Sequence, residues 1–146
     1  MNAFKRTLVG LAVAGAIGAG TAQAQISDNV IKIGVLSDMS SLYTDLAGAG
    51  SVVAARMAVE DSGIEKRGVK VEFLSADHQN KPDVGSGVAR QWYDVDKVDV
   101  IVDVPNSGVA LAVNQITREK GKAFLVSGAA SSDLTGKACS PNTIHW

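Results

Sequence analysis

Cysteine is almost missing from this chain: 146 residues hold one, Cys139, so no disulfide can close within it. That excludes a small disulfide-stapled fold, and the supply of aliphatic residues points to an ordinary hydrophobic core instead. In an exported chain a leftover cysteine implies pairing elsewhere or a lone thiol. Histidine is nearly as scarce. His78 and His145 are the only two, and neither forms a helix-spaced pair with another ligand type, so no metal site is expected. No block of basic residues exists and the net charge is −1, which removes nucleic acid from the expected partners. A phosphate-cradling G-x-x-x-x-G-K-[ST] loop is absent, and with it the support for a nucleoside triphosphate site. Gly48-Ala49-Gly50-Ser51-Val52-Val53-Ala54 does match G-x-G-x-x-A. A dinucleotide site needs those glycines in the turn directly after the first strand, and here they come a dozen residues past Leu36. No cofactor is expected.

The one long apolar run lies at the front. Lys5 and Arg6 form a positive start, Thr7 to Gly20 is an uncharged Ala/Gly/Val-rich stretch, and Ala22-Gln23-Ala24 is the small-x-small pattern before a cleavage site. The run is short of the roughly 20 residues a membrane span needs. Residues 1–24 therefore read as a signal peptide, with export to the periplasm and a mature chain of residues 25–146. Removing Lys5 and Arg6 leaves twelve basic residues against fifteen acidic ones, a balance of −3. The remaining length suits one small domain.

What the chain does have is centred on Val98 to Gly108. A β-branched apolar run, 98–104, breaks at Pro105-Asn106 and passes into a helical pattern with Val109, Ala112, Val113 and Ile116 on one face. A strand turning directly into a helix leaves the first N–H groups of that helix unpaired at the positive end of its dipole. Asn106 or Ser107 can cap it, and Gly108 admits close approach to the backbone. The result is a seat for an anion, most naturally a carboxylate.

Similar units surround it. Val30 to Leu36 reads as a first strand covered on both faces, and a helix from about Leu46 to Ser62 stops at Gly63. Val52, Ala55 and Val59, flanked by Val53 and Met57, form the inward face of that helix. Residues 69–76 alternate and so form a strand nearer an edge. The loop 77–80 follows, then a helix opening at Pro82 with Val84, Val88, Trp92 and Val95 on one side. Trp92 is expected in the core. After the anchor helix 108–120 come a fourth strand, 122–127, a loop of small and hydroxyl residues, 128–134, and the start of a fifth strand at Thr143. Strand and helix alternating four times gives an α/β, flavodoxin-like, mainly parallel sheet flanked by helices, of order 2-1-3-4-5. Ligands of such sheets sit beyond the carboxyl ends of the strands, at the switch between the first and third.

That rim carries neutral groups: Ser40, Ser41, Tyr43, Asn106, Ser107, Ser131 and Ser132. Free N–H groups and hydroxyls suit a carboxylate or zwitterion, and Tyr43 offers an apolar wall with a polar tip. His78 beside Asp77 is expected to be an exposed loop residue, because no nucleophile is placed near it. Binding without turnover is the economical reading, and no enzyme is expected.

Five segments carry a resemblance: I-K-I-G-V-L-x-D-M-S-x-x-Y from Ile31, A-x-x-M-A-V-E-D from Ala54, A-D-H-Q-N-K-P-D from Ala76, D-x-x-x-D-V-P-N-S-G from Asp99, and S-G-A-A-S-S-D-L-T-G from Ser127. Together they resemble the N-terminal part of the periplasmic solute-binding proteins of branched-chain amino-acid-type ABC transporters. The resemblance implies a two-lobed trap of which residues 25–146 are a truncated N-terminal lobe. It further implies an amino acid or other small carboxylate as ligand and an inner-membrane ABC permease complex as partner. By position it assigns ligand contacts to Asn106 and Ser107 after the third strand, to Ala129 and Ser131 after the fourth, and to Tyr43 after the first. The segment Pro105-Asn106-Ser107-Gly108 departs from the family's serine-rich stretch, which widens the expected ligands to aromatic acids and amides. A receptor's sensor domain of the same fold is the alternative. A lone lobe cannot close over its ligand, so the chain by itself is expected to bind weakly or not at all.

Overall fold

The computed structural model describes residues 29–146; the proposed leader lies outside them. Five strands, β1 (Val30–Ser37), β2 (Lys70–Asp77), β3 (Val100–Asp103), β4 (Ala123–Val126) and β5 (Thr143–His145), form one sheet of order β2-β1-β3-β4-β5. Every pairing is parallel. The expected topology and edge position of β2 are both present. The register is what matters for the site: Ser37 pairs with Asp77, Leu36 with Asp103, Asp103 with Val126, and Val126 with His145. The carboxyl ends of all five strands thus form one line, and the loops leaving them share one edge.

Helices α2 (Pro82–Gln91) and α3 (Ser107–Lys120) pack side by side over one face of the sheet. Leu36, Ile101 and Phe124 from the strands meet Ala89, Trp92, Val109 and Val113 there, all buried. Two glycines set how close the layers come. A Cβ on Gly34 would lie 2.5 Å from the Trp92 ring, and one on Gly85 would lie 2.4 Å from Val109. Trp92 is core, as its spacing predicts.

The chain departs from the helical reading after Gln91. Residues Trp92–Asp96 form a single π turn, which adds a residue per turn and slips the apolar face. Tyr93 enters the core instead, its hydroxyl bonding Thr117 and the Ala123 carbonyl, while Val95 is 62% exposed.

The opposite face lies under α1 (Gly48–Ser62) and is filled less completely. Ile31, Ile33, Val71, Val102 and Leu125 line an apolar cavity of about 250 Å³ with Ala55, Ala58 and Val59 of that helix. Ala55 and Val59 do face the sheet across that cavity and Val52 is half-buried, but Val53 and Met57 are 56% exposed each and do not extend that face. The helix also begins at Gly48 rather than Leu46, because Leu46 and Ala47 are held in a turn by the Tyr43 carbonyl.

Candidate functional site

The strand-to-helix turn after β3 has the expected construction. Asn106 is extended, and its side-chain oxygen accepts the Val109 N–H at 2.9 Å, so it is the N-cap of α3. Two left-handed residues precede it, Asp103 (φ 82°) and Val104 (φ 61°). A β-branched residue pays for that conformation. Val104 keeps it because the residue is fully buried and its N–H bonds the Leu36 carbonyl at 3.0 Å. The double bend ends β3 at Asp103 and leads through Pro105 to the cap at Asn106.

Ser107 is the first residue of α3, half-buried. Its Oγ accepts the Ala130 N–H at 3.1 Å, which ties the loop after β3 to the loop after β4. The two loops also abut directly: a Cβ on Gly128 would lie 3.0 Å from the Pro105 Cα. One lone pair of the Ser107 Oγ is taken by the Ala130 N–H, and its O–H donates to no group among the described residues. The N–H groups of Ser107 and Gly108 have no backbone partner among the described residues. Gly108 leaves this approach open, since a Cβ there would come within 3.2 Å of the Asn106 capping oxygen.

The other expected site residues lie on the same rim in different states. Ser131 is half-buried, and its Oγ caps the short turn Ser132–Leu134 through the Asp133 N–H at 3.3 Å. Ala129 is buried, and its carbonyl accepts from His145 Nε2 at 2.6 Å, so that group is already committed. Asn106 has both ends of its amide occupied, one by Val109 and the other by the Asn80 side chain. It shapes the turn, and one of its two amide N–H donors is spent on Asn80. Tyr43 is half-buried in the loop after β1 and shares the rim with Ser107 through topology alone.

That first loop holds residues the sequence reading passed over. Asp38 is buried and accepts from the Ser41 N–H, the Ser41 hydroxyl and the Tyr43 N–H at 2.7–2.9 Å. Asp77, at the end of β2, accepts from the Met39 N–H at 2.9 Å, the Ser40 hydroxyl at 2.5 Å and the Gln79 N–H at 2.7 Å. Burial pulls both carboxyls upward, but these donors outweigh it and hold both below the ordinary aspartate value. Ser40 and Ser41 are therefore spent on carboxylates within the protein and are not free rim donors. The D-x-x-S spacing from Asp38 to Ser41 was the available signal.

His78 corrects a second expectation. It is fully buried, not exposed. Its N–H bonds the Ser37 carbonyl at 2.9 Å, so the ladder runs one residue past β2. Alternation then turns the imidazole to the face of Leu74 and Ala76, against α2; a Cβ on Gly85 would lie 3.6 Å from the His78 Cβ.

Among the described residues no group of three or more His, Cys, Asp or Glu is placed to hold a metal ion, and no helix is long and apolar enough to cross a membrane. The glycines of the G-x-G-x-x-A match open α1, and Gly48 lies eleven positions after Ser37, whose Oγ accepts its N–H.

The family model for periplasmic binding proteins matches residues 30–146. No curated protein matches the chain. Solved structures do. One is a periplasmic binding protein from Burkholderia mallei, at 40% identity and TM-score 0.77, over 82% of this chain and 32% of that one. A second is a branched-chain amino acid ABC transporter periplasmic ligand-binding protein from Burkholderia xenovorans, at 46% identity and TM-score 0.73, over 77% and 30%. A third is an ABC transporter solute-binding protein from R. palustris in complex with benzoate, at 27% identity and TM-score 0.72, over 80% and 32%. The chain spans 30% to 32% of the length of these relatives. With the family match running from the first residue of β1 to the last residue of the chain, this is a member of the periplasmic binding protein family.

Proposed function

We propose that the chain serves as the N-terminal lobe, residues 25–146, of an extracytoplasmic solute-binding component of an ABC import system. On this reading residues 1–24 direct it to the periplasm, and an inner-membrane permease complex receives its solute. The solute is a small amino acid or other carboxylate, held in the cleft between this lobe and a second one, and it is bound without chemical change.

The observation that carries the reading is the Ala130 N–H bond to Ser107 Oγ. It ties the serine at the N-terminus of a helix of 14 residues to the neighbouring loop, and the serine O–H donates to no group among the described residues, which leaves it available to a solute. A carboxylate there receives a charge-assisted hydrogen bond and the favourable end of the helix dipole. Ser131 adds a second hydroxyl from the neighbouring loop, Asn106 and Ala129 shape the floor, and Tyr43 supplies a wall from the loop after β1. The relatives support the class. One is named for branched-chain amino acids and another holds benzoate, and the chemistry common to both is a carboxylate on a small apolar body.

The test is calorimetric titration of the full-length protein with benzoate and leucine, each beside its amide. Binding of an acid, with at least a tenfold loss for its amide and for Ser107→Ala, supports the reading. An acid bound equally well by the Ser107→Ala variant places its carboxylate elsewhere and overturns it.

A further inference from the structure

A chain of hydrogen bonds leads from the buried His78 to the cap of α3. The Asn80 N–H donates to His78 Nδ1 at 3.0 Å. The Asn80 side-chain oxygen accepts from the Asn106 amide, and the Asn106 oxygen accepts the Val109 N–H. Asn80 stands in the left-handed region (φ 57°), a conformation asparagine tolerates better than most residues but one that its contacts must hold. An Nδ1 that accepts is unprotonated, so the neutral ring carries its proton on Nε2. That nitrogen is buried and has no hydrogen-bond partner among the described residues.

We propose that His78 is a positioning residue for the lip. Its neutral imidazole holds Asn80, Asn80 holds Asn106, and Asn106 holds the first turn of α3, so that protonating His78 loosens the lip and weakens solute binding. The last clause rests on the function proposed above; the relay itself does not. Protonation puts a hydrogen on Nδ1 facing the Asn80 N–H, and two donors cannot share that contact. Asn80 must then turn away, and the Asn106 amide loses its acceptor.

The charges around the ring make the event reachable. Burial is the largest influence and lowers the His78 pKa below its ordinary 6.5. Asp38 from the loop after β1, Asp77 from β2 and Asp103 from β3 pull the other way. The contact from α2 is Gly85, which brings no charge. Asp103 Oδ2 is itself buried and unpartnered. Protonation therefore falls on the acid side of the ordinary histidine range.

The test is a pH titration of the protein by NMR, following the imidazole nitrogens of His78, the Asn106 side-chain amide and the Val109 N–H. The expected result is a proton on Nε2 at neutral pH, with the Asn106 and Val109 signals moving at the midpoint of His78. In Asn80→Ala, His78 still titrates but Asn106 and Val109 no longer follow it. In His78→Asn, whose oxygen takes the place of Nδ1 and does not titrate, both signals stay at their neutral positions down to the same pH. Benzoate affinity, measured above the pH at which the ligand itself protonates, should fall about fivefold across the His78 midpoint, the worth of about one net hydrogen bond, and stay flat in His78→Asn. Asn106 and Val109 signals indifferent to His78, or a proton on Nδ1 at neutral pH, overturn the relay. If the coupling is present but neither benzoate nor leucine binds, the relay stands and the solute reading fails.

Discussion

The rim of this sheet has two halves built from similar residues and put to opposite uses. The loops after β1 and β2 are rich in hydroxyls and N–H groups, but Asp38 and Asp77 collect them. On the side of β3 and β4 one carboxylate, Asp103, takes the Ser127 hydroxyl at 3.0 Å, but among the described residues no acidic side chain accepts from Ser107. Ser107 accepts a backbone N–H instead, and its O–H donates to no group among the described residues. The difference teaches that a serine on a ligand-side loop is not a free donor by virtue of its place. What matters is whether the protein has already supplied an anion for it. One half of the rim is a scaffold; the other is the candidate seat.

The comparison can be broken most severely on the scaffold side. Asp38→Ala removes the buried carboxylate that two backbone N–H groups and a hydroxyl of the first loop share, and should cost about 2–4 kcal/mol in urea unfolding. A loss below about 0.5 kcal/mol would mean the loop does not depend on its carboxylate. On the seat side, Ser107→Ala should cost about 1.5–3 kcal/mol in solute affinity, since it removes a bond to a charged group. Its unfolding free energy should change by less than about 1 kcal/mol, because one neutral hydrogen bond is lost. A large stability loss with unchanged affinity would reverse the roles assigned to the two halves. Asn106→Ala removes the cap and should cost about 0.5–2 kcal/mol of stability, measurable by thermal unfolding.

Acid separates the halves in a subtler way. The pKa values of Asp38 and Asp77 are lowered on folding. The unfolded chain therefore binds more protons than the folded one as pH drops below the ordinary aspartate range. Their contribution is complete above that range and is lost as pH falls through the depressed values. Asp77→Asn should flatten the acid limb of the stability curve, and an unchanged limb would show that Asp77 is not held as described. His78, with its lowered pKa, follows the same sign at higher pH: its contribution is complete above about 6.5 and declines as pH falls toward the folded value.

Strand order, the cap at Asn106 and the place of Trp92 were legible because each follows from a local pattern: alternating elements, an amide before a helix, an apolar period. The shared rim of the loops followed from topology, as a parallel sheet puts all its carboxyl ends on one edge. The pairings made across loops were not legible. Nothing local to Ser40 says that Asp77, 37 positions away, will take its hydroxyl. Val95 was misplaced because a π turn is a slip of phase that periodicity cannot announce. His78 looked exposed because it follows a strand; one further backbone bond to Ser37 kept it in the ladder and buried it. The Ala130 N–H that bonds Ser107 is a backbone donor, on a residue whose methyl side chain gives no polar signal in the sequence.

The most direct measurement is the structure of the full-length protein with its solute bound. The account predicts a carboxylate oxygen about 2.5–2.7 Å from Ser107 Oγ, as short as a hydroxyl-to-carboxylate bond runs, with the Ala130 N–H still on the serine and the aspartates of the first loop untouched. A solute anion seated instead against Ser40 and Ser41, with Asp38 or Asp77 displaced, would contradict it.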